Sequence, residues 1–126
     1  MLKIVLVGAG GGLGSLARYG LAGAAHVLFS TRFPLGTLLA NVIGCAVMGL
    51  FAYFFVERQT LSPQHRLFIA YGFLGGLTTF SSFGYETIMF ARDSDMRMAG
   101  LNIAANVVLS LGAVWGGWAG ARAIWG

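Results

Sequence analysis

The sequence predicts an all-α membrane protein, a single four-helix transmembrane domain over residues 1–126. Three observations carry that prediction. Hydrophobic residues make up 57% of the chain and charged residues only 10%, against about 25% charged in an ordinary soluble domain, too few to cover a water-facing surface. Formal charges leave stretches of 24, 19 and 24 residues with none, at Phe33–Val56, Leu67–Tyr85 and Met98–Ala121, each near the roughly 20 residues that cross about 30 Å of hydrocarbon. A fourth apolar stretch, Ile4–Thr31, is interrupted only by Arg18. The spans fall near 4–28, 34–55, 67–90 and 98–122, with short connectors around Ser30-Thr31-Arg32, Glu57–Arg66 and Arg92–Arg97.

Span one carries Gly8 and Gly12, and Gly10 and Gly14, each pair four apart. Small residues at that spacing share a helix face and let backbones approach closely. Lys3, the apolar run and Ala22-Gly23-Ala24 imitate a signal peptide. Arg18 interrupts its core, so the segment is read as a retained span. Gly12-x-Gly14-x-x-Ala17 imitates a dinucleotide fingerprint, which needs a preceding strand and an acidic residue about 20 positions later. No acidic residue occurs before Glu57, and the match is set aside.

Spans two and four combine small-residue faces with polar stripes. Gly36, Ala40 and Gly44 lie four apart, as do Gly112, Gly116 and Gly120. Thr37 and Asn41 share a face of span two, and Asn102, Asn106 and Ser110 a face of span four. Such residues read either as interhelical hydrogen-bond partners, about 0.6 kcal/mol each, or as a polar pathway through the membrane. Their alignment in so small a protein favours the pathway.

Span three is chemically the least regular: Gly72-Phe73-Leu74-Gly75-Gly76-Leu77-Thr78-Thr79-Phe80-Ser81-Ser82-Phe83-Gly84. Glycine costs a helix about 1 kcal/mol against alanine, and hydroxyls compete for backbone carbonyls. A broken helix is expected here, with freed carbonyls able to coordinate a cation; a kinked packing helix is the alternative. Phe80 and Phe83 share a face among hydroxyl residues, and an aromatic edge is electropositive, so these rings can meet an anion without carrying charge. Arg18 is the only cation deep in a span, and Glu86 lies three residues beyond Phe83. No role is assigned to His26 or His65.

Charge placement bears on orientation. Lys3, Arg58, Arg66 and Arg122 fall on one side, and Arg32, Arg92 and Arg97 on the other. Near-equal counts give the positive-inside rule little to act on, which leaves two readings: insertion both ways as an antiparallel homodimer, or a weak bias read by other means. The net charge of +4 comes from scattered residues with no basic run, so no nucleic-acid partner is expected. A single cysteine, Cys45, excludes a disulfide framework and a Cys-based metal site.

Gly11-Gly12-Leu13-Gly14-Ser15-Leu16-Ala17-Arg18-Tyr19, Gly36-to-Gly44 and Gly72-to-Phe83, in this order and spacing, resemble the CrcB/Fluc fluoride channel family along nearly the whole chain. Ser82 departs mildly from that family's more frequent threonine. The resemblance implies a dual-topology antiparallel homodimer in the bacterial inner membrane that lets fluoride flow passively from the cell, relieving its toxicity. It implies two pores, one on each side of the dimer axis. It also implies a central structural sodium ion held by backbone carbonyls of the broken third helix, matched here by Gly75 and Thr78. Asn41, Phe80 and Phe83 match that family's pore amide and rings, and Thr37, Ser110 and Glu86 match positions of its polar track; Asn106, from the span-four stripe, is expected to join the fluoride path, and Arg18 is expected to have a structural or electrostatic place.

Uncharged amides and hydroxyls suit such an ion, because they donate without trapping it. No nucleophile, acid–base pair or metal-ligand cluster is apparent, so an enzyme is not expected. A small four-helix proton-coupled multidrug exporter is the alternative. It calls for a carboxylate in span one, where this chain has Arg18. A non-transporting assembly subunit would account for the glycine faces but not for the polar stripe.

Overall fold

The computed structural model describes the whole chain, Met1–Gly126. With no water in a bilayer core, a spanning segment must satisfy its own backbone, and this chain does so with helices. Helix α1 (Leu2–Phe29) ends at Ser30, which takes a left-handed conformation at φ 42° and ψ 41°. Helix α2 (Leu35–Ala52) follows Pro34 and widens into a π-turn at Tyr53–Glu57. Ser62 caps α3 (Pro63–Arg66), with its Oγ accepting from His65 N and Pro63 at the first helical position. The third span continues as a π-helical run, Leu67–Leu74, then α4 (Gly75–Leu77), two extended residues, Thr78 and Thr79, and α5 (Phe80–Arg92). Asp95 caps α6 (Met96–Trp125), its Oδ1 accepting from Met98 N at 3.1 Å.

Four helical segments are long and apolar enough to cross a membrane: Leu2–Phe29, Leu35–Glu57, Pro63–Arg92 and Met96–Trp125. They outrun the sequence-derived 4–28, 34–55, 67–90 and 98–122 mainly at their charged ends. Counting charge-free residues stops at the first ionised side chain, whereas helical hydrogen bonding continues through Glu57, Arg66, Arg92 and Arg97. Long charged side chains at a helix end reach the interface without unwinding it.

Close backbone approach holds the spans together. A Cβ on Gly10 would strike Phe68 O, and one on Gly14 would strike Phe73 O, which seats α1 against the third span. Gly49 meets Val114 O and Gly117 meets Ala46 O, locking α2 to α6. The expected small-residue faces are corrected in part. Gly8, Gly12, Gly112, Gly116 and Gly120 have open space beside them, so in span four Gly117 makes the intrachain contact instead. Ala40, Leu74 and Leu77 form the buried centre, flanked by Leu21, Val47 and Phe73. Leu16, Val108, Leu111 and Trp115 are exposed on the outside, as expected of helices whose solvent is lipid.

The two ends are tied differently. Arg32 meets Asp95 at 3.7 Å across one end. At the other, Trp118 Nε1 donates to Glu57 Oε1 at 2.8 Å, and the Arg122 guanidinium lies 5.4 Å from the Trp118 ring centre.

Candidate functional site

The site is organised around the extended pair Thr78–Thr79. In a continuous helix the Thr79 N–H would bond Gly75 O, and the Ser82 N–H would bond Thr78 O. Neither pairing forms. Thr79 N donates to Asn41 Oδ1 at 2.7 Å, and Ser82 N donates to Thr79 Oγ1 at 3.1 Å as the cap of α5. The Asn41 Nδ2 donates back to Thr79 O at 3.1 Å. One side-chain amide of α2 thus satisfies both main-chain groups of Thr79, while the helical donors of Gly75 O and Thr78 O are engaged elsewhere. The Thr78 hydroxyl turns back to Leu74 O at 2.9 Å, closing the preceding turn.

From Asn41 a run of amides leads along α6. Asn41 Nδ2 donates to Asn106 Oδ1 at 2.9 Å, and Asn106 Nδ2 donates to Asn102 Oδ1 at 2.9 Å and Asn102 O at 3.1 Å. Asn102 Nδ2 donates to Thr87 Oγ1 at 2.9 Å, and Thr87 Oγ1 donates to Phe83 O at 2.8 Å. Asn41, Thr87, Asn102 and Asn106 are all buried. Unpaired polar groups at this depth cost several kcal/mol, and the run leaves none of these amides unpaired.

A cavity of about 310 Å³ opens beside this run. Asn41, Asn106, Ser110, Thr78 and Thr79 give it polar groups, and Phe80, Phe83, Val107 and Leu111 give it apolar wall. Phe80 and Phe83 pack edge to face, with centroids 5.2 Å apart and planes at 63°. Phe83 is 8% exposed, whereas Phe80 is 81% exposed at the outer surface of the chain. Ser110 Oγ is shielded from solvent without a hydrogen-bonding oxygen or nitrogen, beside the Cys45 thiol.

Thr37 and Glu86 lie apart from this cavity. Thr37 Oγ1 donates to Glu86 Oε1 at 2.5 Å, and Glu86 Oε2 has no partner in the chain. Both line a second cavity, about 300 Å³, with His26 and Arg32 at the end where α1 meets α2. Arg18 is half-buried on α1 and forms no ion pair within the chain. The structure therefore brings Asn41, Phe80, Phe83, Asn106 and Ser110 together, and pairs Thr37 with Glu86 nearer one end.

Sequence reading did not single out Thr87. Its one signal was a lone hydroxyl four residues after Phe83 on a membrane-spanning helix, the spacing at which threonine bonds its own backbone. Cys45 lines the cavity, a place that a lone cysteine in an apolar run does not signal.

The sequence profile of the family described as CrcB-like protein, Camphor Resistance (CrcB), matches residues 5–118. The chain is 45% identical to the "Fluoride-specific ion channel FluC" of Geobacter metallireducens over 116 residues, covering 91% of this chain and 93% of that protein. It is 40% identical to the protein of the same name in Geotalea daltonii over 124 residues, covering 98% and 100%. Against that of Solibacter usitatus the identity is 43% over 116 residues, covering 92% and 95%.

Proposed function

This chain belongs to the CrcB family, and on that premise we propose that it is a fluoride-selective passive ion channel, releasing fluoride from the cytoplasm and so relieving its toxicity. It is a multi-pass protein of the bacterial inner membrane and not an enzyme. The observation that carries the reading is the cavity beside Asn41, which offers amide and hydroxyl donors and ring edges and contains no fixed charge. A small, strongly hydrated anion needs donors that replace water, yet binding weak enough for exit. In the state described here both Asn41 N–H groups bond protein oxygens, so fluoride must compete with Asn106 Oδ1 or Thr79 O for them. Competition of that kind keeps binding shallow.

The functional unit is an antiparallel homodimer with two pores, one on each side of its axis. Supporting this, Phe80 is largely uncovered in the single chain, and the glycine faces of α1 and α6 have open space beside them, as surfaces awaiting a second copy would. The near-equal charge on the two ends suits insertion in both directions. In each pore Asn41, Phe80, Phe83, Asn106 and Ser110 line the central part, while Thr37 and Glu86 flank the path nearer the Arg32 end.

A structural sodium ion fits the backbone at Gly75 and Thr78. Both carbonyls have lost their helical N–H partners to Asn41 and Thr79, and freed carbonyls at membrane depth suit a monovalent cation. Bound between two subunits, the cation would supply charge that holds their broken helices together. A multidrug exporter is less well supported, because span one carries Arg18 and the sole carboxylate well inside a span, Glu86, is bonded to Thr37. The test is release of fluoride and of chloride from liposomes containing the purified protein. Rapid fluoride release with chloride retained is expected; equal release of both, or of neither, contradicts the proposal.

A further inference from the structure

We propose that Thr87, acting through Asn102 and Asn106, is a positioning residue that holds the Asn41 amide in the sense its bonds to Thr79 also require. Its consequence for transport, through Asn41 serving the ion, rests on the function proposed above.

The geometry forces the direction link by link. A hydroxyl has one proton, and Thr87 Oγ1 gives its own to Phe83 O at 2.8 Å. Only lone pairs remain for its neighbour, so Asn102 turns its NH₂ toward Thr87, at 2.9 Å, with Phe83 O as a longer second acceptor at 3.5 Å. That leaves Asn102 Oδ1 facing Asn106, which must present its own NH₂, again at 2.9 Å. Asn106 Oδ1 then faces Asn41 and accepts from Nδ2. The far end demands the same sense, since Thr79 N requires an acceptor and receives Asn41 Oδ1 at 2.7 Å. Each amide has one N–H directed toward Thr87, while Asn41 also donates to Thr79 O and Asn106 to Asn102 O, so the run is held in the same sense from both ends and at its middle.

The consequence falls on the cavity beside Asn41. An amide flip exchanges Nδ2 for Oδ1 at nearly the same place, replacing a donor by an acceptor where an anion would pass. Buried hydrogen bonds in a run also polarise one another, so the anchor at Thr87 strengthens the hold on an amide three links away. Thr87 is buried and is not among the residues lining that cavity; beside this run it touches the cavity only through its bond to Phe83 O, and the Asn41 resonances tell the two routes apart.

The test compares Thr87→Val, Thr87→Ala and Thr87→Ser in the full-length protein. Two readouts are taken: fluoride efflux from liposomes, and the side-chain NH₂ resonances of Asn41 in protein labelled at asparagine, assigned by their absence in Asn41→Ala. Expected are a fall in efflux of about tenfold or more for Val and Ala, the change one lost buried hydrogen bond brings, with displaced Asn41 resonances. Thr87→Ser retains the hydroxyl and should keep both near the parent. Unmoved Asn41 resonances in Val or Ala overturn the proposal, as does efflux within twofold of a parent that conducts fluoride. Loss of fold in both, with Ser intact, would make Thr87 a structural residue and overturn it as well. Should the parent pass no fluoride, the channel reading fails by itself, and the resonances alone decide the positioning role.

Discussion

The Asn41 amide bonds both main-chain groups of Thr79, accepting from N at 2.7 Å and donating to O at 3.1 Å. A side chain of α2 thereby stands in for the helical partners that the third span gives up. Removing it should leave two buried backbone groups unpaired, at about 1–3 kcal/mol each. For Asn41→Leu we expect a melting temperature lowered by several degrees and little fluoride efflux. Asn41→Asp keeps the acceptor for Thr79 N but sets a charged oxygen against Thr79 O and Asn106 Oδ1. Its efflux should collapse more completely than its stability falls, measured by efflux beside thermal unfolding in detergent.

Close approach at Gly14 makes a second prediction, about assembly of the fold rather than the pore. A Cβ there collides with Phe73 O, a backbone atom that cannot swing away. Gly14→Ala should cost about 1–3 kcal/mol, as overpacking does. Gly20→Ala, with nothing near its Cβ in the chain, should leave the melting temperature close to the parent's. Equal melting temperatures for the two variants would contradict the packing of α1 on the third span.

These contrasts show what was legible in the sequence. Charge-free length revealed the four spans, because lipid admits few alternatives to a helix. Helix ends were less legible, since Glu57, Arg66 and Arg92 remain in helical turns although they are charged. Glycine spacing could not say which face meets a neighbour: Gly112, Gly116 and Gly120 keep the period, yet Gly117 makes the contact. The site was partly legible. Spacing by four put Asn102 and Asn106 on one face, but their partners Thr87 and Asn41 lie on other spans, and only the fold brings those together. The pairing of Thr37 with Glu86 was hidden for the same reason.

Antiparallel assembly depends on both orientations being made. Two lysines added to the loop between Glu57 and Arg66 should pull that loop to the cytoplasmic side and reduce activity, because oppositely inserted partners become scarce. Co-expression with a chain biased the other way should restore it. Cysteine labelling of each loop from each side provides the check. A parent chain labelled in one orientation only would be incompatible with the proposed dimer.

Sodium removal should act on assembly. Carbonyl oxygens of Gly75 and Thr78 would lose the charge that holds them, so replacing sodium with a large organic cation should weaken dimer stability or fluoride flux together. Preference for fluoride over chloride should not change, because on the proposed path the anion meets Asn41 and the rings rather than these carbonyls. Dimer dissociation followed by size and selectivity followed by efflux separate the two; stability indifferent to sodium would argue against a structural ion.

The most direct measurement is fluoride efflux from liposomes carrying Phe80→Ile or Phe83→Ile. Isoleucine is apolar and fills much of the ring's space but lacks its electropositive edge, and the two rings meet edge to face at 5.2 Å beside the Asn41 cavity. Each variant should assemble and melt like the parent, yet release fluoride at least about tenfold more slowly, the change for roughly 1.4 kcal/mol of lost stabilisation. Efflux at the parent's rate from both variants would show that the rings only pack, and that fluoride takes another path.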